Sequence, residues 1–488
     1  MSLSRQALLA QGARLAAGGA VASLGFPALA GAKTSPVAEL RKAIGQARVV
    51  VPGDPRYASV RLPWNRRYDT VKPLAVALPA SPEHVAACVK WAQKHGIRLA
   101  IRGGGHSFAG HSSSTGLVID LRKLSAVTPS GNKARIGAGA RLGDVYARLW
   151  SAGQRAIPAG TAPTVGIAGL TLGGGHGFLT RKLGLACDAL LAATVVTADG
   201  KVRTCSETNE KELFWALRGA GWGNFGVVTS FIFETTEIGP VTTVNLEWAW
   251  SRGGAADLIE AWTAFMASAP DELSTVLALR LPKTGGDPPK LALNGLYAGP
   301  KAAALAALQP FVTATTPTKV NVVARSFSGA VSYFAGAQSE KRRFIGAASA
   351  YANTPLSASG RDAVVDLVLS ATDEPGVAGG GVILFALGGA VGRVSKGATA
   401  FVHRSALFSV EVAALWDTPG ETEPVRAWFD TARAVLTPYV SSEAVQNYAD
   451  PDLAYPQTAY YASNLARLGK LKKAIDPKNV FRHAQSVR

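Results

Sequence analysis

Arg102-Gly103-Gly104-Gly105-His106-Ser107-Phe108-Ala109-Gly110-His111 is the stretch on which the reading of this chain turns. Three successive residues without a Cβ let the backbone pass through positive φ and aim consecutive N–H groups at one anion, which is how a pyrophosphate is held without a lysine. The residues just before it, 98–101, form an apolar, strand-like run, so the loop is offered at a strand end. Taken alone, Gly-Gly-Gly-His reads more readily as a plain turn. The device recurs, however, in Gly160-Thr161-Ala162-Pro163-Thr164-Val165-Gly166-Ile167-Ala168-Gly169-Leu170-Thr171-Leu172-Gly173-Gly174-Gly175-His176-Gly177. Two cradles in one chain suit one dinucleotide, and the histidine beside the first places a reactive ring against it.

With these two loops the chain resembles the berberine-bridge-enzyme-like family of FAD-dependent oxidases, within the wider vanillyl-alcohol-oxidase superfamily. The resemblance resumes at Leu213-Phe214-Trp215-Ala216-Leu217-Arg218-Gly219-Ala220-Gly221-Trp222-Gly223-Asn224-Phe225-Gly226-Val227-Val228-Thr229, which is similar to the family's FAD-binding segment. It returns at Gln446-Asn447-Tyr448 and at Tyr460-Tyr461-Ala462-Ser463-Asn464-Leu465-Ala466-Arg467-Leu468. The last stretch, Asp476-Pro477-Lys478-Asn479-Val480-Phe481-Arg482-His483-Ala484-Gln485-Ser486, resembles the family's C-terminal signature. The fold this implies is α+β: a two-subdomain PCMH-type FAD-binding domain plus a substrate domain with an antiparallel sheet covered by helices.

By the same resemblance, His106 matches the histidine that carries FAD covalently through the flavin 8α-methyl. The cofactor contacts it implies are Arg102, Gly103, Gly104, Gly105, His106, Ser107 and His111 in the first loop. In the second they are Val165, Gly166, Gly169, Gly173, Gly174 and Gly177, followed by Val228, Tyr461 and Asn464. Many members attach the flavin a second time, through a cysteine two residues after the glycine that opens the second loop. Here that slot is Ala162, which has no nucleophile, and Cys88, Cys187 and Cys205 match no attachment motif. A single link through His106 is therefore expected. Val165 matches a gate position where valine goes with oxidase activity, which implies O2 as electron acceptor and H2O2 as product. The alternatives are a dehydrogenase of the same fold and, in another class, a flavin-carrying binding protein without turnover.

Oxidation of a small alcohol, sugar or amine by a flavin needs a base to take the heteroatom proton while hydride leaves carbon. Tyr448 matches the family's tyrosine near the substrate, and a phenol of pKa ~10 must be lowered by a cation or hydrogen bonds to serve near neutrality. Glu411 is the second candidate, because a carboxylate inside an apolar strand is costly unless paired or wet. It either faces the flavin pocket, where it contacts substrate, or lies on a solvated outer face. His111 and His176 fill space beside the cofactor on this reading. The histidines lack the paired spacing of a zinc site, so no metal is expected.

The chain has 488 residues, 48% of them hydrophobic and 17% charged, enough for a large core and for more than one domain. Its formal net charge of +18 attracts anions, but the Lys and Arg residues are scattered rather than interleaved with aromatics, which argues against nucleic acid. Three cysteines allow at most one disulfide. Residues 1–32 read as an export signal, with Arg5 and Arg14 ahead of an apolar small-residue run and Ala-x-Ala sites at its end. Ser4-Arg5-Gln6-Ala7-Leu8-Leu9 resembles a twin-arginine motif that has lost one arginine, so a periplasmic or secreted location is expected. No later segment reads as a membrane span.

Helix and strand periods divide the remainder. Ser81 is an N-cap with Pro82 after it, and Val85, Cys88, Val89 and Ala92 recur at helical spacing until Gly96. Strands are expected at 98–101, 116–121, 134–138 and 191–197, which gives an FAD-binding domain over residues 33–235. Strands at 241–250, 275–281 and 291–296, with helices at 255–266 and 301–311, make a substrate domain over 236–440. A strand at 406–416 puts Leu407, Ser409, Glu411, Ala413 and Leu415 on one face. Residues 441–488 are expected to return to the FAD domain.

Overall fold

The structure is a computed structural model that describes residues 35–282, 287–336, 341–372, 374, 377 and 379–488. The expected export segment lies outside the described residues. Helix Pro82–Lys94 begins where the sequence places it: the Ser81 hydroxyl accepts a hydrogen bond from the His84 N–H, and Pro82 occupies the first turn, where its missing N–H costs nothing. Its buried face is Val85, Ala86, Cys88, Val89, Trp91 and Ala92. Beneath it lies a four-stranded sheet in the order Val49–Val50, Ala75–Ala77, Leu117–Asp120, Leu99–Arg102, the last three strands parallel. The first glycine loop leaves the carboxyl end of strand Leu99–Arg102, the edge at which parallel sheets offer ligand sites.

A five-stranded antiparallel sheet follows, ordered Val127–Ser130, Lys133–Gly137, Val227–Glu234, Leu190–Val196, Val202–Ser206. The second loop runs from strand Arg155–Ala156 into helix Ile167–Leu172. Both sheets share one apolar core, to which Ala444, Tyr460, Tyr461, Leu468, Phe481 and Val487 of the C-terminal stretch also belong.

Residues 241–416 supply a seven-stranded, wholly antiparallel sheet. Its order is Lys319–Arg325, Val241–Trp248, Lys290–Tyr297, Leu273–Arg280, Gly381–Ala386, Phe408–Trp416, Phe344–Ala352. One face carries Val244, Leu246, Leu277, Leu279, Leu293, Leu384, Val410 and Val412, which pack under helices Arg252–Met266, Ala358–Leu369 and Thr422–Leu436. The helix expected over residues 301–311 is two helices, Lys301–Ala307 and Gln309–Ala314. Pro310 lies in the first turn of the second, where a ring that would clash inside a helix is tolerated, so the chain restarts there.

Candidate active site

The two glycine loops meet backbone to backbone. A Cβ built on Gly104 would lie 2.3 Å from the Gly166 nitrogen, so no larger residue fits at that crossing. Among the described residues, the N–H groups of Gly104, Gly105 and His106 donate to no backbone acceptor. These residues border a cavity of about 520 Å³ that runs between the loops, the strand ends and the face of the seven-stranded sheet turned away from the helices.

Most of the sequence candidates border this cavity: Gly103, Gly104, Gly105, His106, Ser107 and His111 from the first loop, Val165, Gly166 and Gly169 from the second, and Val228 and Tyr448. Ala162 borders it too, and no cysteine does; all three cysteines are buried and unpaired. The other candidates stand behind the lining. Arg102 is buried and donates to the carbonyls of Ser112, Val60 and Arg61, which fixes the base of the first loop. Gly173 and Gly174 give way to Asn447 and Phe401, and Gly177 to the Ala159 carbonyl. Tyr461 accepts a hydrogen bond from Asn224. Asn464 donates to the carbonyls of Lys396, Thr399 and Ala400. These side chains hold the walls in place.

The His106 ring stacks on Trp64, with centroids 4.5 Å apart and planes 18° from parallel. Its Nε2 is buried without a protein partner. Burial, with the nearby charge of Arg141, pulls the pKa of His106 down to about 4, so the ring is neutral and keeps a lone pair at neutral pH. An unprotonated imidazole with an unsatisfied nitrogen, on the wall of a cavity of this size, fits an FAD bound there.

At the other end Tyr448 is fixed from two sides. Its hydroxyl shares a hydrogen bond with His176 Nε2 at 2.7 Å, and its ring stacks on Phe108 with centroids 6.0 Å apart. His176 is itself neutral, held down to about 4 by burial. Asn447 locks the preceding residue to the second loop, accepting from the Gly175 N–H at 3.1 Å and donating to the Leu170 carbonyl. The lowering that a base at Tyr448 requires is not supplied by its protein surroundings. Burial and the nearby Glu411 and Tyr351 push the phenol well above its ordinary value. His176, read as filling space, is instead the hydrogen-bond partner of Tyr448.

Glu411 lies on the face of strand Phe408–Trp416 opposite the helices, and its pKa is raised to about 7 by burial, opposed by the charge of Arg280. It stands close enough to act electrostatically on Tyr448. Arg280 and Phe385, which border the same cavity, carry no motif that sequence reading could use, whereas Trp222, also in the lining, lies in the stretch 213–229 that the sequence singled out. His176 did have a signal, since the second loop repeats the Gly-Gly-Gly-His of the first. Among the described residues no cluster of metal-ligating side chains occurs, and no helix is long and apolar enough to cross a membrane.

Comparison with known proteins agrees with this geometry. Residues 73–206 match the model of an FAD binding domain, and residues 446–488 match the model described as berberine and berberine like. An uncharacterised FAD-linked oxidoreductase of Bacillus subtilis, YgaK, is 34% identical over 90% of this chain and 96% of its own. The chitooligosaccharide oxidase of Gibberella zeae is 31% identical over 88% of this chain and 89% of its own. The solved structure of Physcomitrella patens BBE-like 1 superposes with a TM-score of 0.83 at 30% identity, covering 93% of this chain and 99% of that one. Fold and site together define an FAD-linked oxidoreductase. More particularly, the chain belongs to the berberine-bridge-enzyme-like family.

Proposed function

We propose that the protein is an oxidase with FAD joined once, through His106, and that it takes hydride from a carbon bearing a hydroxyl or amine and passes the electrons to O2, forming H2O2. The observation that carries the reading is that one cavity is bordered both by the neutral His106 ring, whose Nε2 has no protein partner, and by Tyr448, on which the nearby Glu411 acts electrostatically. The chitooligosaccharide oxidase among the relatives favours a sugar as the substrate. When bound, FAD supplies the hydride acceptor. The phenol of Tyr448, oriented by His176 and Phe108, meets the substrate hydroxyl. Glu411, with an affinity for protons near neutrality, is the group that can hold the proton given up. Ala162 leaves the histidyl link as the single attachment.

Anaerobic titration of the purified flavoprotein with a panel of mono- and oligosaccharides tests the reading, followed by stopped-flow mixing with air-saturated buffer. A sugar that bleaches the flavin, with fast recovery of the oxidised spectrum and release of peroxide, is the expected result. Bleaching with slow recovery in air would make the protein a dehydrogenase, and no bleaching by any sugar, alcohol or amine would make it a binding protein.

A further inference from the structure

A histidine is joined through a ring nitrogen only along that nitrogen's lone pair, which lies in the plane of the ring, so the plane decides whether the reacting atoms meet. The first loop itself does little to set that plane. The last torsion of a histidine side chain is broad rather than staggered, and the three glycines before His106 have no side chains to brace it. Trp64 supplies the brace. Its ring lies flat against the imidazole, with centroids 4.5 Å apart and planes 18° from parallel.

Trp64 is itself fixed by a strap, residues 63–68, tied to the first loop at two points. Its backbone N–H donates to the Gly105 carbonyl at 3.0 Å. The approach is close enough that a Cβ on Gly105, whose φ is +76°, would lie 3.3 Å from the Trp64 nitrogen. On one side Arg342 donates to the Pro63 carbonyl at 2.8 Å, and on the other buried Asn65 donates to the Ile345 carbonyl at 2.9 Å, on strand Phe344–Ala352. The Tyr68 hydroxyl makes the second tie, donating to the Phe108 carbonyl at 2.7 Å. Trp64 thus borders the cavity with its ring on His106 and its backbone held between the loop and the seven-stranded sheet. Its buried indole N–H has no protein partner, so the stack is what the side chain gives to His106.

We propose that Trp64 is a positioning residue for flavin attachment, holding the plane of His106 so that a ring nitrogen meets the 8α carbon of FAD. This role rests on the reading of His106 as the tether. Attachment forms one N–C bond, breaks one C–H bond of the 8α-methyl, whose proton leaves, and releases the imidazole N–H proton. Two electrons stay with the isoalloxazine until O2 takes them, with two protons, as H2O2. Trp64 makes and breaks no bond in this sequence and fixes only its geometry.

The test follows attachment in time. Full-length parent, Trp64→Phe and Trp64→Leu proteins, made in riboflavin-starved cells so that they lack flavin, are mixed with FAD in air and sampled at intervals. Gel filtration of each sample reads all the flavin bound, and acid precipitation reads the part that is joined. Trp64→Phe keeps a flat ring and should attach FAD within a few-fold of the parent rate. Trp64→Leu should bind FAD yet attach it on the order of a hundredfold more slowly, as misplacing reacting atoms by about an ångström does. Trp64→Met gives the same reading should Trp64→Leu not fold. Attachment at the parent rate without an aromatic ring, or Trp64→Phe as slow as Trp64→Leu, overturns the proposal. So does a folded Trp64→Leu or Trp64→Met that binds no FAD, because Trp64 would then serve binding and not attachment. A parent that binds FAD and never joins it overturns the tether reading itself, and the role of Trp64 falls with it.

Discussion

Glu411 acts electrostatically on Tyr448, which borders the cavity, and the two groups can be tested separately. Because the carboxyl of Glu411 is raised to about 7, the folded protein binds a proton there that the unfolded chain has released above its ordinary carboxylate pKa. Its contribution to stability is thus largest in acid and is lost as pH climbs to about 7. Relative to the parent, Glu411→Gln should gain in Tm between pH 5 and pH 7 and hold that gain above, as thermal melts across the range would show. If the carboxylate also accepts the substrate proton, flavin reduction in the parent rises with pH through about 7, and Glu411→Gln loses that inflection. Tyr448→Phe should keep fold and flavin while slowing anaerobic reduction by on the order of a hundred- to ten-thousand-fold. A rate within a few-fold of the parent would leave Tyr448 as packing alone. The Tyr448 position was legible from its Gln-Asn-Tyr motif, whereas its partner was not. His176 lies 272 residues away in sequence, and only the fold closes the 2.7 Å gap.

Elements were legible where a local rule sufficed. The cap at Ser81, the apolar period of Pro82–Lys94 and the alternation of Val241–Trp248 each follow from residues within one turn or one strand. Sheet order was not, since the seven-stranded sheet places Phe408–Trp416 between Gly381–Ala386 and Phe344–Ala352, a choice made by packing across distant segments. The split at Leu308 was missed because a run of alanines reads as continuous helix until Pro310 is weighed. The glycine loops lie between these cases. Their composition announced a tight cradle, but the crossing of Gly104 against Gly166 is a tertiary fact. Gly104→Ala must push two backbones apart, so the variant should take up far less flavin, measured as the ratio of visible to protein absorbance. Gly53→Ala, at a position with open space around the missing Cβ but positive φ, should cost modest stability and leave flavin content unchanged.

At the scale of the molecule, the segment from residue 441 to the C-terminus closes the site. Gln446 donates to the Gly219 carbonyl, Asn447 binds the second loop, and Asn224 joins both Tyr461 and the Val487 N–H. Buried Lys472 is held by Asp476 and by the carbonyl of Asn224 at 2.7 Å. The residues that carry Tyr448 are in this way anchored to the core that carries His106, so the two ends of the cavity keep their spacing without a disulfide. That spacing has a purpose only if a flavin spans it, which makes attachment at His106 the central claim. The most direct measurement is peptide mass spectrometry of acid-precipitated protein. A yellow pellet and a His106 peptide heavier by the mass of FAD less two hydrogens are predicted, with both lost in His106→Ala. A colourless pellet, with intact FAD in the supernatant and an unmodified His106 peptide, would contradict the account.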